Sequence, residues 1–263
     1  MNFFEAIVLG IIQGLTEFLP VSSSGHLELG KHLLGIDPEA NFYFSVAVHG
    51  ATVLSTLFVL WKEIADIFKS LFSFRLNDET RLAVRIIISM IPVAITGFFM
   101  NDIIENFFSG NMIFLGIGFI ITSLLLSLTL VIKPRERNMT ILDSFIIGMA
   151  QALAVIPGIS RSGSTIATGM MLGNRKSEIA KFSFLMVLIP VIGANLLESV
   201  SGKFHGEGTS AGIIIAGFLS AFITGYIACK WMINLVKRGN LKWFAVYCLL
   251  AGIFSIILGI NVI

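Results

Sequence analysis

Six apolar stretches run through the chain of 263 residues, separated by short polar segments. They lie at about 42–61, 82–100, 111–132, 180–200, 211–229 and 241–263. Each approaches the roughly 20 residues that a helix needs to cross a bilayer, so the pattern predicts six transmembrane helices. Two more apolar segments, one near the N-terminus and one in mid-chain, are interrupted by polar residues. Their arms have about 14 to 18 residues, which is short for a crossing, and they predict two re-entrant helical hairpins.

The two interrupted segments are copies of each other. Residues 5–35 align with residues 143–173 after a shift of 138 positions. The aligned identities are Gly10 with Gly148, Gln13 with Gln151, Leu15 with Leu153, Ser22 with Ser160, Ser24 with Ser162, Gly25 with Gly163, and Leu34-Gly35 with Leu172-Gly173. Residues 95–98 also resemble residues 223–226, at a shift of 128. Duplicated apolar segments broken by Gly and Pro are typical of a membrane-embedded active site or transport site.

The placement of positive charge predicts the topology. If six helices cross and each hairpin enters and leaves on one side, 15 of the 18 Lys and Arg residues face the same side. Two, Lys31 and Lys203, face the other side, and Arg161 lies in the second hairpin. The positive-inside rule makes the basic side cytoplasmic, so both termini face outward. Three crossings separate the hairpins, which inverts the second repeat relative to the first.

The predicted fold class is an all-α multi-pass membrane protein with six full transmembrane helices and two re-entrant hairpins in an inverted-topology repeat. We expect one integral membrane domain over residues 1–263, with repeat one at about 1–132 and repeat two at about 141–263. Composition agrees, because only 13% of the residues are charged, against about 25% in soluble domains. The basic loops are expected to set the topology and to contact anionic lipids rather than nucleic acid.

The first hairpin carries a polar cluster over residues 13–26, called here the first polar cluster. Gln13 and Glu17 are four residues apart and share a helix face. Pro20 ends that helix, and Ser22 or Ser23 is suited to cap the next one. His26 is placed to converge with both serines. His26 is a candidate general acid/base or nucleophile, and Glu17 could orient it, act as a base or bind a divalent cation.

The second polar cluster covers residues 157–165. Pro157-Gly158 breaks the chain, Ser160 can cap the following helix, and Arg161 and Thr165 are four residues apart. An ionised Glu or Arg at membrane depth costs at least about 2.5 to 3.5 kcal/mol on insertion scales. Glu17 and Arg161 are therefore expected to pair with each other or with a ligand. Two helix N-termini beside an arginine favour an anion, and a phosphate fits best.

These residues resemble a known family, the bacterial undecaprenyl-diphosphate phosphatases of the bacitracin-resistance type. That family carries a Glu/Gln-x-x-x-Glu motif followed by Pro-Val-Ser-Ser-x-Gly-His, and later a Pro-Gly-x-Ser-Arg-Ser-x-x-Thr motif. In this chain the motifs lie at 13–17, 20–26 and 157–165. The resemblance covers essentially the whole chain, including its length and its repeat.

The resemblance implies hydrolysis of the C55 lipid diphosphate to the monophosphate carrier and inorganic phosphate in the bacterial plasma membrane, with a Mg²⁺ or Ca²⁺ requirement. By position it implies that the catalytic residues are Glu17, Ser23, His26 and Arg161. The implied phosphate ligands are Ser22, Ser160, Ser162 and Thr165. The metal ligand would be Glu17, with Gln13 a weaker one, because a neutral amide binds cations less well than a carboxylate. The expected partners are the lipid substrate and the bilayer, with a homodimer left open. The first hairpin enters from outside, so the catalytic cavity should open outward.

Other interpretations stay open at this point. The attacking group could be His26, Ser23 or an activated water. Glu17 and Arg161 could form a purely structural pair. Acid-phosphatase-like lipid phosphatases share the Ser-Gly-His and Ser-Arg pieces, but they need a second histidine soon after the arginine, and the only later one here is His205. A lipid flippase would use the same inverted repeat and the same phosphate-binding tips.

Overall fold

The computed structural model describes residues 1–36, 42–73, 77–99, 111–132, 135–200 and 210–261. These residues form α-helices joined by short turns, with one isolated bridge between Arg137 and Asn174. The eleven helices found in the described ranges are α1 (Phe3–Phe18), α2 (Ser23–Leu33), α3 (Phe42–Val59), α4 (Trp61–Phe72), α5 (Asp78–Phe99), α6 (Met112–Val131), α7 (Ile141–Leu153), α8 (Arg161–Met171), α9 (Lys176–Val200), α10 (Ala211–Arg238) and α11 (Lys242–Asn261). The loops predicted at 36–41, 101–110 and 201–209, with Lys203 and His205, lie outside these ranges except for Ile36.

The prediction of an all-helical membrane protein is confirmed at the level of the helices. Each apolar stretch forms a helix, and each interrupted segment forms two short ones, α1 with α2 and α7 with α8. Among the described residues, α5, α6, α10 and α11 are long and apolar enough to span a membrane. The pair α3 and α4 counts as a fifth span if it is taken as one broken helix. The chain is therefore a multi-pass membrane protein.

The break between α3 and α4 was not expected from the sequence. The two helices are bent by 73°, and the residue between them, Leu60, leaves the helical region with φ −105° and ψ 20°. Helix α4 is amphipathic, with Lys62, Glu63, Asp66 and Lys69 on its polar positions. Its Glu63 accepts from Lys181 Nζ of α9 at 2.7 Å, which fixes α4 beside the other repeat.

The repeat is visible in how the two hairpins begin. Asn2 and Glu5 form a reciprocal capping box at the start of α1, and Thr140 and Asp143 form the same box at the start of α7. The two boxes are 138 residues apart, the shift that relates the hairpins. In the second copy the Arg137 guanidinium also donates two hydrogen bonds of 2.6 Å each to the Asp143 carboxylate. Both hairpins are thus fixed at their entrances by the same local chemistry.

Each hairpin packs against a helix of the opposite repeat, at a glycine. A side chain on Gly10 of α1 would collide with the Gly217 carbonyl of α10, and one on Gly148 of α7 would collide with the Ser89 carbonyl of α5. Gly10 and Gly148 are related by the shift of 138, and Ser89 and Gly217 by the shift of 128. The same close contact has therefore been made twice, and it joins one half of the chain to the other.

A third contact of this kind joins α6 and α11, the last helix of each repeat. A Cβ on Gly116 would lie 2.6 Å from the Gly252 carbonyl oxygen, and one on Gly252 would lie 2.8 Å from the Gly116 carbonyl oxygen. Ser123 of α6 also donates to the Ala245 carbonyl at 2.7 Å. Small residues let helices approach closely in lipid, where there is little hydrophobic drive for association. The two repeats are interlocked through all three contacts.

This packing predicts a strong position dependence for glycine substitutions. We expect Gly148→Val to lower the melting temperature of the detergent-purified protein by more than 5 °C, roughly what 1 to 2 kcal/mol would do, because α7 must move away from α5. Gly50→Ala in α3 is the matched control, since no atom lies within 4 Å of its new Cβ. It should leave the melting temperature unchanged or raise it slightly. Equal melting temperatures for Gly148→Val and the parent would contradict the close contact.

Candidate functional site

The two hairpin turns each end in a helix capped by a serine. Ser22 precedes α2 and its hydroxyl accepts from the Gly25 amide at 3.3 Å. Ser160 precedes α8 and its hydroxyl accepts from the Gly163 amide at 3.0 Å. Ser22 adopts φ 71°, an unusual value for a residue with a side chain and one that costs of the order of 1 to 3 kcal/mol. The predicted caps are confirmed, and of the two serines proposed for the first tip it is Ser22 that caps.

The two tips are in direct contact. The Ser162 hydroxyl of α8 donates to the Leu19 carbonyl at 3.0 Å, across the boundary between the repeats. A Cβ on Gly163 would lie 3.4 Å from Pro20, which is ordinary contact. The Ser160 amide donates to the Thr122 hydroxyl of α6 at 2.9 Å. The helix N-termini of both copies therefore open towards the same small volume.

Glu17 is the centre of the hydrogen-bond network at this point. Its Oε2 accepts from Ser23 Oγ at 2.5 Å and from Gln13 Nε2 at 2.8 Å. Its Oε1 lies 3.4 Å from Arg161 Nη2. The Glu17 side chain is 8% exposed and that of Arg161 is 27% exposed. Glu17 and Arg161 were expected to pair with each other or with a ligand, and the structure shows the first of these. Gln13 and Ser23 satisfy the second carboxylate oxygen.

A polar cleft lies between the tips and is called here the tip cleft. Hydroxyls, one carboxylate and one guanidinium line it almost throughout. The lining residues are Thr16, Glu17, Ser22, Ser23, Ser24, Ile159, Ser160, Arg161 and Ser162. Six of the eight residues predicted as catalytic or phosphate-binding are brought together here. Hydroxyl donors, a guanidinium and two helix N-termini suit an anion with several oxygens.

A second cleft adjoins the first and is mainly apolar instead of polar. The two clefts share Glu17, Arg161 and Ser162. The rest of its lining is mainly apolar and comes from α3 and α9: Thr52, Val53, Thr56, Phe184, Val187, Leu188 and Val191, with Phe18 of α1. We call it the apolar cleft. A polar compartment that opens into an apolar one fits a ligand with an anionic head and a hydrocarbon tail.

His26 does not line either cleft. Its ring is buried, at 8% exposure, and it points from α2 towards α6 and α11. Its Nδ1 lies 2.7 Å from the Ser22 carbonyl oxygen and its Nε2 lies 2.7 Å from Tyr247 Oη. His26 was expected to converge with Ser22 and Ser23. It contacts the backbone carbonyl of Ser22, whereas the Ser23 hydroxyl bonds to Glu17 instead. The catalytic role of His26 stays a prediction.

Thr165 also lies behind the tip. Its hydroxyl donates to the carbonyls of Arg161 and Ser162 in its own helix, at 3.0 and 3.2 Å, and it is fully buried. It stabilises the first turn of α8, from which Arg161 projects. Its predicted role as a phosphate ligand stays untested, and the position supports an indirect contribution through the placement of Arg161.

Gln13 and Glu17 offer an incomplete ligand set for a cation. Among the described residues no group of three or more His, Cys, Asp or Glu side chains comes together as a metal site. The Gln13 amide nitrogen faces Glu17, and its carbonyl oxygen is buried without a hydrogen-bond partner. Mg²⁺ usually keeps several waters and needs only one or two carboxylates beside substrate phosphates. The pair fits a cation that the substrate helps to hold.

Two residues of this region escaped the sequence reasoning. Thr122 lies in an apolar stretch, and its hydroxyl donates to the Gly158 carbonyl at 3.3 Å while accepting from Ser160. Tyr247 lies in the final apolar stretch, where aromatic residues are most simply explained by lipid contact. For Thr122 the signal in the sequence is a polar residue inside an apolar stretch. For Tyr247 the sequence gives no signal.

Comparison with known proteins assigns the chain to a family. Residues 6–254 match the family model described as bacitracin resistance protein BacA. A curated relative named undecaprenyl-diphosphatase, from Bacteroides thetaiotaomicron, is 53% identical over 98% of this chain and 99% of its own length. Proteins of the same name from Christiangramia forsetii and Methanosphaera stadtmanae are 49% and 36% identical, over 98% and 99% of this chain. Both of these matches cover 98% or more of the relatives.

Proposed function

Because this chain belongs to the bacitracin resistance protein BacA family and is an undecaprenyl-diphosphatase, we propose that the tip cleft is where the lipid diphosphate is hydrolysed. The observation that carries the proposal is the junction of the two clefts at Glu17, Arg161 and Ser162. The diphosphate would lie in the tip cleft, and the first isoprene units would lie in the apolar cleft between α3 and α9.

Glu17 and Ser23 form the reacting pair in this proposal. The Ser23 hydroxyl already donates to the Glu17 carboxylate at 2.5 Å, which is the arrangement of a nucleophile with its base. The oxygen of Ser23 attacks the terminal phosphorus while its proton passes to Glu17. The bond from phosphorus to the bridging oxygen breaks, and the lipid monophosphate leaves with the electron pair. Water then attacks the phosphoserine, which releases phosphate and returns the proton from Glu17 to Ser23.

Arg161 and the helix N-termini bind the phosphoryl oxygens. A guanidinium 3.4 Å from Glu17 can turn its fork to a phosphate without leaving the site,. The capped tips of α2 and α8 contribute amide groups and positive dipole ends. In phosphoryl transfer, positioning and charge stabilisation supply a large part of the rate. In this mechanism Ser22, Ser160 and Ser162 shape the cleft.

A divalent cation, Mg²⁺ or Ca²⁺, is proposed to be held by Glu17 and the carbonyl oxygen of Gln13 together with the diphosphate. It would neutralise phosphate charge when bound. The Gln13 carbonyl oxygen supports this, because it is buried without a hydrogen-bond partner. Rotation of the amide would turn this oxygen towards Glu17, where the cation would be its partner. His26 is proposed to exchange a proton at Nε2 by way of the Tyr247 hydroxyl, which lies 2.7 Å away, since its ring lines neither cleft and the Ser22 carbonyl occupies its other nitrogen.

The nucleophile is tested by substitution of Ser23. We expect Ser23→Ala to reduce phosphate release from a short polyprenyl diphosphate by about 10³-fold, the middle of the usual range for positioned catalytic groups. Ser144→Ala is the control, because Ser144 is a buried serine that donates to the Thr140 carbonyl of its own hairpin. It should retain full activity. A loss below tenfold for Ser23→Ala would mean that water attacks directly and that Glu17 activates it.

The outward-facing orientation is proposed from the charge distribution. We expect Ser210→Cys, at the exposed start of α10, to react with a membrane-impermeant maleimide on intact spheroplasts. Asn240→Cys, in the exposed turn before α11, should react only after permeabilisation. The two native cysteines, Cys229 and Cys248, are buried and give a low background. The opposite labelling pattern would place the termini and the opening of the tip cleft on the cytoplasmic side.

A further inference from the structure

Tyr247 is in contact with a predicted catalytic residue from the far end of the chain. Its hydroxyl lies 2.7 Å from His26 Nε2, and its ring stacks on the imidazole with centroids 5.5 Å apart and planes 11° apart. Phe119 of α6 meets the other side of the imidazole edge-on, at 5.0 Å. The imidazole is therefore held by α2, α6 and α11 together, and Tyr247 is the titratable side chain among these contacts.

The partner of each ring nitrogen determines its chemistry. The Ser22 carbonyl can only accept a hydrogen bond, so Nδ1 carries a proton. In the neutral ring Nε2 is then the lone-pair nitrogen, and the Tyr247 hydroxyl donates to it. In the charged ring Nε2 donates to the phenol oxygen. Tyr247 satisfies the one nitrogen through which His26 can act, in either protonation state.

Contacts around the tip of the first hairpin hold His26 and Tyr247 in this arrangement. Cys248, the next residue along α11, donates to the Pro20 carbonyl at 3.6 Å, which attaches α11 to the turn of the first hairpin. A Cβ on Gly25 would lie 2.7 Å from Phe119, so glycine at that position lets the Phe119 ring reach His26. The Ser22 carbonyl that binds Nδ1 also accepts the His26 amide at 3.1 Å. Little rotation of the imidazole is left.

An ordinary membrane-interface tyrosine would behave differently. Such residues send their hydroxyl towards the headgroups. Tyr226 of α10 is an example of an outward contact, because its hydroxyl is bonded to the exposed Lys230. The ring of Tyr247 is partly exposed, yet its hydroxyl points inward to a buried imidazole. We propose that Tyr247 is a positioning residue that holds Nε2 of His26 for proton exchange in diphosphate hydrolysis. This rests on the role proposed above for His26.

The test compares Tyr247→Phe with Tyr226→Phe in the full-length purified enzyme. Tyr247→Phe keeps the stacked ring and removes only the hydroxyl. We expect kcat to fall by about 10- to 100-fold, the range for partners that orient a functional histidine, with KM within about threefold because the clefts are untouched. The melting temperature should stay within a few degrees, and the pH profile of kcat should shift. Tyr226→Phe should match the parent in every measurement.

The outcomes separate this inference from the proposed function. If Tyr247→Phe keeps the parent's kcat and pH profile while His26→Asn is inactive, the role of Tyr247 is refuted and that of His26 stands. If His26→Asn is itself fully active, both are refuted, although the assignment of Glu17 and Ser23 is unaffected. If the lower kcat of Tyr247→Phe comes with a lower melting temperature and an unchanged pH profile, the hydroxyl only stabilises the fold. The inference is then also wrong.

Discussion

Replacing Glu17 with glutamine is expected to reduce phosphate release by about 10³-fold or more, within the range for a positioned acid/base group. The substitution preserves shape and the hydrogen bond from Gln13, but it removes the negative charge that receives the Ser23 proton. It also removes the counter-charge of Arg161. The assay is release of inorganic phosphate from a C55 or shorter polyprenyl diphosphate by protein purified in detergent.

The matched control for this change is Asp78→Asn. Asp78 also lies beside an arginine, with Arg81 Nη1 at 3.7 Å, but the Asp78 side chain is 95% exposed. Such surface pairs contribute about 0 to 1 kcal/mol, so activity and stability should not change. Glu17→Gln at more than a tenth of the parent rate would show that the carboxylate is structural and would remove the base from the mechanism.

Replacing Arg161 with alanine is expected to lower kcat/KM by about 10³-fold or more, similar to the loss of other arginines that bind a transferring phosphoryl group. Arg161→Lys should recover only part of this, because an ammonium cannot bind two phosphate oxygens as a planar fork does. Arg81→Ala is the exposed counterpart and should be fully active. Full activity of Arg161→Ala would refute the site assignment.

A double variant distinguishes a structural ion pair from a catalytic one. Arg161→Ala leaves the Glu17 carboxylate buried without its counter-charge, which lowers stability. Adding Glu17→Gln removes that charge, so the melting temperature of the double variant should rise towards the parent value. Activity should not return. If activity and melting temperature recovered together, Glu17 and Arg161 would matter only for folding.

Local features of the site could be predicted from the sequence. The Pro and Gly breaks mark the tips, and a serine just before each new helix is a strong capping signal. The free-energy cost of an isolated charge in lipid was enough to predict that Glu17 and Arg161 need partners and can pair with each other, although they are far apart in the chain. In each case the physical rule acts within one helical turn, or on a single charge that must be neutralised.

What escaped prediction depends on how helices rotate against one another. Spacing alone placed His26 beside Ser22 and Ser23, but its ring points to α11, because Gly25 leaves room for Phe119 and Tyr247 supplies a hydroxyl. An aromatic residue in an apolar helix has the same sequence pattern whether it faces lipid or a buried imidazole. The bend at Leu60 was missed for a similar reason, since no proline or glycine marks it.

The glycine contacts between the repeats have a consequence for biogenesis. Helix α1 is synthesised before the other described helices, but the helix that packs against it at Gly10 begins only at Ala211. Arg161, which neutralises Glu17, is also made much later than Glu17. A nascent chain that has inserted only its first repeat therefore carries a hairpin in which Glu17 lacks its counter-charge and the face around Gly10 lacks its partner helix. The first hairpin can reach its final place only after α10 has been synthesised and inserted.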